Sequence, residues 1–340
     1  MRITSRFKAM AILMGLLSIA VLVAGCGSGG GDKAAGGNDE AKVITAKLGH
    51  VGAPDHIFEI GAKKFSELVE QKTNGKLKIE TYPGGQLGND RDMMESLKMG
   101  TIEFAIEGPI DSFLPKASIV MLPYMFNGPE HVYKFLDGPL GDEVFAGLND
   151  MGIVPLGHME NGWRLITSNK PINSMSDLKG QKIRVPESPM FQDSFKAFGA
   201  SPVPVPFTEL YSALQQGVAD GQENPVFHIH TNRFYEVQKY LALSKHMYLN
   251  APLLASQKFW DTLDPEMQKA VQEAAKEAVD YQRKVAMEKE SELLGKLKEA
   301  GMTVTEPDLT PFKEAVKPVH EKWANEHGQD LYNKIAELGK

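Results

Sequence analysis

From residue 42 onward the apolar positions alternate between two periods. "AKVITAKLGHV" steps every second residue, as a strand does, and stops at Gly52-Ala53-Pro54. Asp55 is placed to cap a following helix, on which Phe58, Ala62, Phe65 and Val69 share one face until Asn74-Gly75 ends it. "KLKIETYP" returns to strand spacing, with Leu77 and Ile79 on one side. Asp90 starts the next helix, whose Met93, Met94 and Leu97 turn inward before Gly100 closes it, and "TIEFAIEG" is a third strand. This strand–helix order predicts an α/β sheet with crossover helices.

The alternation restarts later. "GWRLITS" and "QKIRVP" read as strands. Ser188-Pro189 opens a helix with Phe191, Phe195 and Phe198 on one face and Gly199 at its end. "SPVPVP" is extended, and its three prolines restrict it to a sheet edge or an irregular strand. Thr208 then caps a helical run, "ELYSALQQGVADG", which stops at Gly221, ahead of Pro225. A second α/β lobe, roughly residues 162 to 248, follows from this pattern.

The longest element is "DPEMQKAVQEAAKEAVDYQRKVAMEKESELLGKLKEAGM". Asp264 caps it, Pro265 takes the first helical position and Gly301 ends it. Helical spacing runs through Met267, Val271, Ala274, Ala278, Tyr281, Val285 and Leu293. A helix of roughly 35 residues is about 50 Å long, whereas a lobe of this size is only about 30 Å across. The helix is therefore expected to run along both lobes; a coiled-coil dimer is the alternative, but the stripe is not a strict heptad. The predicted fold class is α/β, a two-lobed clamp with hinge strands and a long helix shared by both lobes. Lobe I takes residues 42–161 and about 249–289, and lobe II takes 162–248 and about 290–340.

The N-terminus has a different character. Arg2, Arg6 and Lys8 precede an apolar run over residues 9–25 that is short for a membrane span and ends in "LVAGC". Residues 1–25 thus have the form of a bacterial lipoprotein signal peptide, with Cys26 as the lipidated first residue of the mature protein. A plain signal peptide with an incidental cysteine is the other reading. With the only cysteine acylated, no thiol remains for a disulfide, a metal or a nucleophile. Residues 26–41, "CGSGGGDKAAGGNDEA", form a flexible tether, since they lack the flanking strand and Gly-Lys-Ser/Thr of a phosphate loop. The fold then works outside the cytoplasmic membrane, on the periplasmic side or extracellularly. The net charge of -7 and scattered basic residues exclude a nucleic-acid partner.

Candidate chemistry gathers in the second lobe. Arg164 in "NGWRLI" and Arg184 in "KIRVP" sit inside apolar strands, where a guanidinium is costly to bury without an anion. Its planar fork matches a carboxylate. A salt bridge to Asp or Glu is the other reading of each. Two such arginines in adjoining strands, with Asn224 of "QENP" at the next strand–helix join, point to a ligand anion.

"SDLKGQKIRVP", "GASPVPVPFTELYSALQQGVADGQENP" and "QKYLALSKH", with "TNGKLKIETYPGGQLGNDRDMMESLKMGTIEF" in the first lobe, resemble a known family. It is the solute-binding proteins of tripartite ATP-independent periplasmic (TRAP) transporters, of the dicarboxylate-binding-protein (DctP) type. The resemblance covers nearly the whole chain after the tether. It implies a periplasmic-binding-protein-like clamp that delivers an organic acid to a permease with a small and a large membrane subunit. It implies Arg184 as the main carboxylate hook, Arg164 as the second arginine, Asn224 completing the anion site and Phe207 packing on the ligand. Glu223 is expected to present itself beside Asn224 or to hold an arginine in position.

Selectivity is expected from His50, Asp90 and Glu107 in the first lobe, with capping or surface exposure as the alternative for each. Ionised Asp90 and Glu107 facing the cleft would repel a second carboxylate and accept from hydroxyls. That favours a hydroxylated monocarboxylate, such as a sugar acid or uronate, over a C4-dicarboxylate. No enzyme is expected: G-x-S-x-G is absent, and "HEKWANEH" has Ala324 where a zinc helix needs histidine. His228 and His230 of "HIH" could face one way on a strand, but no Asp/Glu/Cys set accompanies them, so neither metal nor cofactor is expected. A binding component of an ATP-driven importer or of a sensor kinase would have a similar fold and site.

Overall fold

The computed structural model describes residues 43–340; the signal segment, the tether and Cys26 lie outside them. In chain order the elements are β1 (Ile44–Gly49), α1 (Ile57–Lys72), β2 (Leu77–Tyr82), α2 (Asp90–Met99) and β3 (Phe104–Ile106). Then come α3 (Pro129–Leu136), α4 (Pro139–Phe145), α5 (Gly147–Asp150), β4 (Ile153–Ser168), β5 (Lys182–Val185), α6 (Pro189–Ala197) and β6 (Ser201–Pro204). They are followed by α7 (Leu210–Gln215), β7 (Gly221–Asn224), α8 (Val226–Thr231), β8 (Tyr240–Ser256), α9 (Gln257–Trp260) and α10 (Pro265–Glu299). The chain ends with β9 (Thr303–Thr305), α11 (Thr310–Ala315), α12 (Lys317–His327) and α13 (Gln329–Glu337). No helix among the described residues is long and apolar enough to cross a membrane.

All nine strands among the described residues join one sheet in the order β2-β1-β3-β8-β4-β7-β5-β6, with β9 beside β8. One parallel group, β2-β1-β3, lies at one end and another, β7-β5-β6, at the other. The long antiparallel pair β4–β8 runs from the first group to the second. Its register slips between Glu160 and Gly162, where Gly162 takes φ +108, a conformation that glycine adopts without strain. "SPVPVP" contributes the outermost strand, as its prolines require.

The apolar stripes named from spacing are buried: Phe58, Ala62, Phe65 and Val69 on α1, Met93, Met94 and Leu97 on α2, and the three phenylalanines of α6. Capping corrects three expectations. His56, not Asp55, caps α1, its Nδ1 accepting from Phe58 N–H at 3.1 Å. Asn89, not Asp90, caps α2, in a capping box with Asp92. Thr208 caps nothing: a short 3-10 turn over Phe207–Glu209 leads into α7 without a side-chain cap.

The helix entered at Thr208 also ends early. α7 stops at Gln215, Gly217 turns at φ +70, and residues 221–224 are strand β7 rather than a helix terminus. β4 begins nine residues before the predicted "GWRLITS" (Ile153 against Gly162), because β8 covers its whole length.

α10 is the predicted 35-residue helix, with the Asp264 side chain accepting from Met267 N–H. Its inward face differs from the expected one: Tyr281 is exposed and Val285 half-buried, while Gln282 and Arg283 are buried. Gln282 takes the inward position because it bonds both the N–H and the C=O of Glu160, each at 2.8 Å. Those are the strand groups left over at the β4 slip. Arg283 follows it in, donating to His158 O and pairing with both oxygens of Asp137.

Candidate functional site

The carboxyl ends of the two parallel groups supply the predicted residues. His50 directly follows β1 and Glu107 directly follows β3; Arg184 lies near the end of β5 and Asn224 ends β7. Open α/β sheets offer ligands this edge. Arg164 and Arg184 are not on adjoining strands, because β7 lies between β4 and β5. That intervening strand carries Glu223 and Asn224, which hold Arg164.

Arg164 is buried and committed. Its Nη2 donates to Glu223 Oε1 at 2.9 Å, to Glu223 O at 2.9 Å and to Asn224 Oδ1 at 3.0 Å, while Nε donates to Glu223 Oε2. Its guanidinium stacks over Phe191 at 4.9 Å. Glu223 also meets His246 Nε2 at 3.3 Å. Burial pushes the Glu223 carboxyl up, but Arg164 and His246 outweigh it and hold the group below its ordinary range. Glu223 therefore fixes Arg164, and Asn224 joins it: Asn224 Nδ2 donates to Gln222 Oε1 at 2.6 Å, so its amide is part of the internal network.

Arg184 is held differently. Nε and Nη2 both donate to Val205 O, at 2.9 and 2.6 Å. Nη1 is buried with no partner. Burial lowers this guanidinium's pKa to about 10, a measure of how poorly the surroundings compensate its charge. Phe207 lies beneath it, 5.9 Å from the guanidinium carbon to the ring centre, and 4.7 Å from the ring of His228. Asp90, Arg184 and Phe207 line one narrow cleft, with Arg91, Phe113 and Pro206.

On the first-group side several buried polar atoms lack partners. Glu107 is fully buried and both carboxyl oxygens lack a hydrogen bond. Burial, with the nearby Asp90 adding to it, raises its pKa well above the ordinary value, so the neutral acid is favoured. Asp90 is also raised by burial, although Gly108 N–H, at 3.2 Å, and the charge of Arg184 oppose the shift. Burial thus weighs against the expected role of Glu107 as a repelling carboxylate, because a protonated acid offers an O–H donor as well.

His50 is wholly buried, its Nε2 bonded to Glu59 Oε2 at 2.9 Å and its Nδ1 unpartnered. His56 and His228 stack at 4.0 Å, with His56 Nε2 and His228 Nδ1 unpartnered. Sequence reading missed both as site residues. His228 sits on helix α8, not on a strand, so His230 points elsewhere and is half exposed.

Contacts between the two halves enclose this region. Asp111 Oδ2 accepts from Ser188 Oγ at 2.7 Å and from Met190 N–H at 3.3 Å, at the start of α6. Gly85, at φ +72, lies so near Thr208 that a Cβ would come within 2.7 Å of its methyl. A larger cleft of about 670 Å³ lies elsewhere, by α4, β4 and α10, and none of the predicted residues lines it.

The family described as bacterial extracellular solute-binding protein, family 7 (DctP) matches residues 48–327. The 2,3-diketo-L-gulonate-binding periplasmic protein YiaO of Escherichia coli is 36% identical over 286 residues, 82% of this chain and 87% of that protein. A Polaromonas TRAP periplasmic solute-binding protein solved with D-erythronate superposes with a TM-score of 0.84 at 36% identity, over 86% of this chain and 98% of that one. A Sulfurospirillum deleyianum protein of the same kind, solved with succinate, gives a TM-score of 0.84 at 33% identity, over 87% and 99%.

Proposed function

The chain belongs to the DctP family of bacterial extracellular solute-binding proteins, which serve transport rather than catalysis, and we propose that it captures a small hydroxylated organic acid. The ligand's carboxylate docks on Arg184 Nη1, beside the Arg164 held by Glu223. Its tail extends over Phe207 toward Glu107, His50 and Asp90. The observation that carries this reading is the buried, unpartnered Nη1 of Arg184, whose side chain lines one cleft with Asp90 and Phe207. Buried polar groups without partners are rare and need a reason.

Residues 42–161 with about 249–289, and 162–248 with about 290–340, act as the two lobes. They hinge on β4 and β8 and close on the ligand, excluding water and strengthening the charged contacts. The loaded protein delivers the acid to a TRAP permease of one small and one large membrane subunit. Lipid on Cys26 keeps it at the outer face of the cytoplasmic membrane. Replacing Cys26 by Ser is expected to release the protein from the membrane fraction and abolish labelling by radioactive palmitate.

A C4-dicarboxylate is the second reading, favoured by the succinate in the Sulfurospirillum protein. A thermal-shift screen over aldonates, uronates and C4-dicarboxylates separates the two, since a ligand that binds only the native state raises the melting temperature. Succinate or malate bound far more tightly than any hydroxylated acid would reverse the preference.

A further inference from the structure

Three buried histidines, His50, His56 and His228, lie beside the anion hooks, and hydrogen bonding fixes the proton positions of the first two. His56 Nδ1 accepts the Phe58 N–H that opens α1. That nitrogen is therefore bare, and the proton of the neutral ring sits on Nε2, which is buried and unpartnered. Burial keeps this ring neutral. Gly52 makes the arrangement possible: a Cβ there would lie 2.7 Å from His56 Nδ1.

His50 is arranged the other way round. Its Nε2 donates to Glu59, whose carboxylate also takes a bond from Thr81 Oγ1 at 2.9 Å and pairs with Lys63 at 3.2 Å. In the neutral imidazole this leaves Nδ1 as a bare acceptor, again buried and unpartnered. Both rings pack on Phe58, at 6.1 Å for His50 and 4.5 Å for His56, so they share one corner of the site.

We infer that His50 and His56 form a matched acceptor and donor that read a hydroxyl group on the ligand, making them specificity-determining residues of this binding protein. A hydroxyl can accept from His56 Nε2–H and donate to His50 Nδ1 at once. A carboxylate can only accept, so seating it on His56 would set its lone pairs against those of His50, and it is kept off the pair. The pair therefore selects a hydroxylated tail over a second carboxylate. This inference rests on the proposed docking of the ligand's carboxylate at Arg184.

The test is calorimetric titration of wild type, His56→Asn and His56→Ser with D-erythronate, galactonate, D-glucuronate and succinate. Asn and Ser both cap helices well, so each variant keeps the start of α1 while losing the distal N–H. The tightest hydroxylated probe is expected to lose about 10- to 100-fold in both variants, the range for a buried polar contact left unmade. Succinate affinity should move less than about threefold by the same reasoning. Unchanged affinity for the hydroxylated probe in both variants would overturn the inference and leave docking at Arg184 standing. If wild type bound none of the four acids, or bound succinate most tightly, the reading of the site itself would fail first. Should the Asn variant misfold, the Ser variant decides alone, and melting of each free protein within a few degrees of wild type is the folding check.

Discussion

Arg184→Met removes the proposed hook with little change of volume. In the free protein the guanidinium is buried, and burial lowers its pKa to about 10, well below the ordinary arginine range. At 1.36 kcal/mol per pKa unit, that corresponds to about 3 kcal/mol of unfavourable environment. Methionine relieves it but gives up the two bonds to Val205 O, each worth about 1.5–3 kcal/mol. Val205 is half-buried, so water can take over its carbonyl. The terms nearly cancel, and the free variant should melt within a few degrees of wild type. Binding should not survive, because truncating one partner of a buried charge pair costs about 2–5 kcal/mol. With ligand at 100 times the wild-type Kd, the protein gains about 2.7 kcal/mol; a hundredfold weaker variant gains only about 0.4 kcal/mol. Calorimetry and thermal shift measured together read both quantities. A variant that binds its acid with wild-type affinity, or one that unfolds without ligand, would refute the reasoning.

Glu223→Gln leaves Arg164 buried without its counter-charge and should cost about 3–5 kcal/mol in urea unfolding, with an unchanged m-value. The Glu223 pKa is depressed in the fold, so its stabilisation is complete above the ordinary carboxyl range and disappears as pH falls through the folded value. The variant should therefore lack that part of the acid destabilisation seen in wild type. Glu160 behaves oppositely. Burial raises its pKa to about 7, against bonds donated by Tyr133 and Tyr248. The folded state then binds more protons than the unfolded one between about pH 4.5 and 7, and stability should fall across that window by about 3 kcal/mol as pH rises. Glu160→Gln should flatten the profile, as read by chemical denaturation at pH 5 and 8; an unchanged slope would count against the assignment.

Much of this molecule can be read from its periodicity, because single-faced elements bury what their spacing exposes. The stripes of α1, α2 and α6 and the proline-marked edge strand were of this kind. Polar groups on inward faces defeat that logic. Gln282 and Arg283 lie inward on α10 because strand groups at the β4 slip need partners, and no pattern within the helix signals it. The arginines were legible as costly charges in apolar strands, but the strand between them was not, since "GQEN" carries no strand-forming residue. His56 and His228 were hidden for a related reason: only packing reveals that a cap residue and a helix residue meet face to face. The stretch around α3–α5 gave too little spacing to place.

The strands that cross between the two ends of the sheet also govern how the chain comes to be folded. Phe104 pairs with Ala255, and Tyr240 with Thr303, so neither end can assemble from one continuous stretch of polypeptide. Partners this remote must find each other before contacts reward the search, and chains rich in such pairings fold slowly. A newly made polypeptide of this topology stays open for a time after synthesis. In a chain of an extracellular family, such a delay would lengthen the time during which it can still be threaded across a membrane.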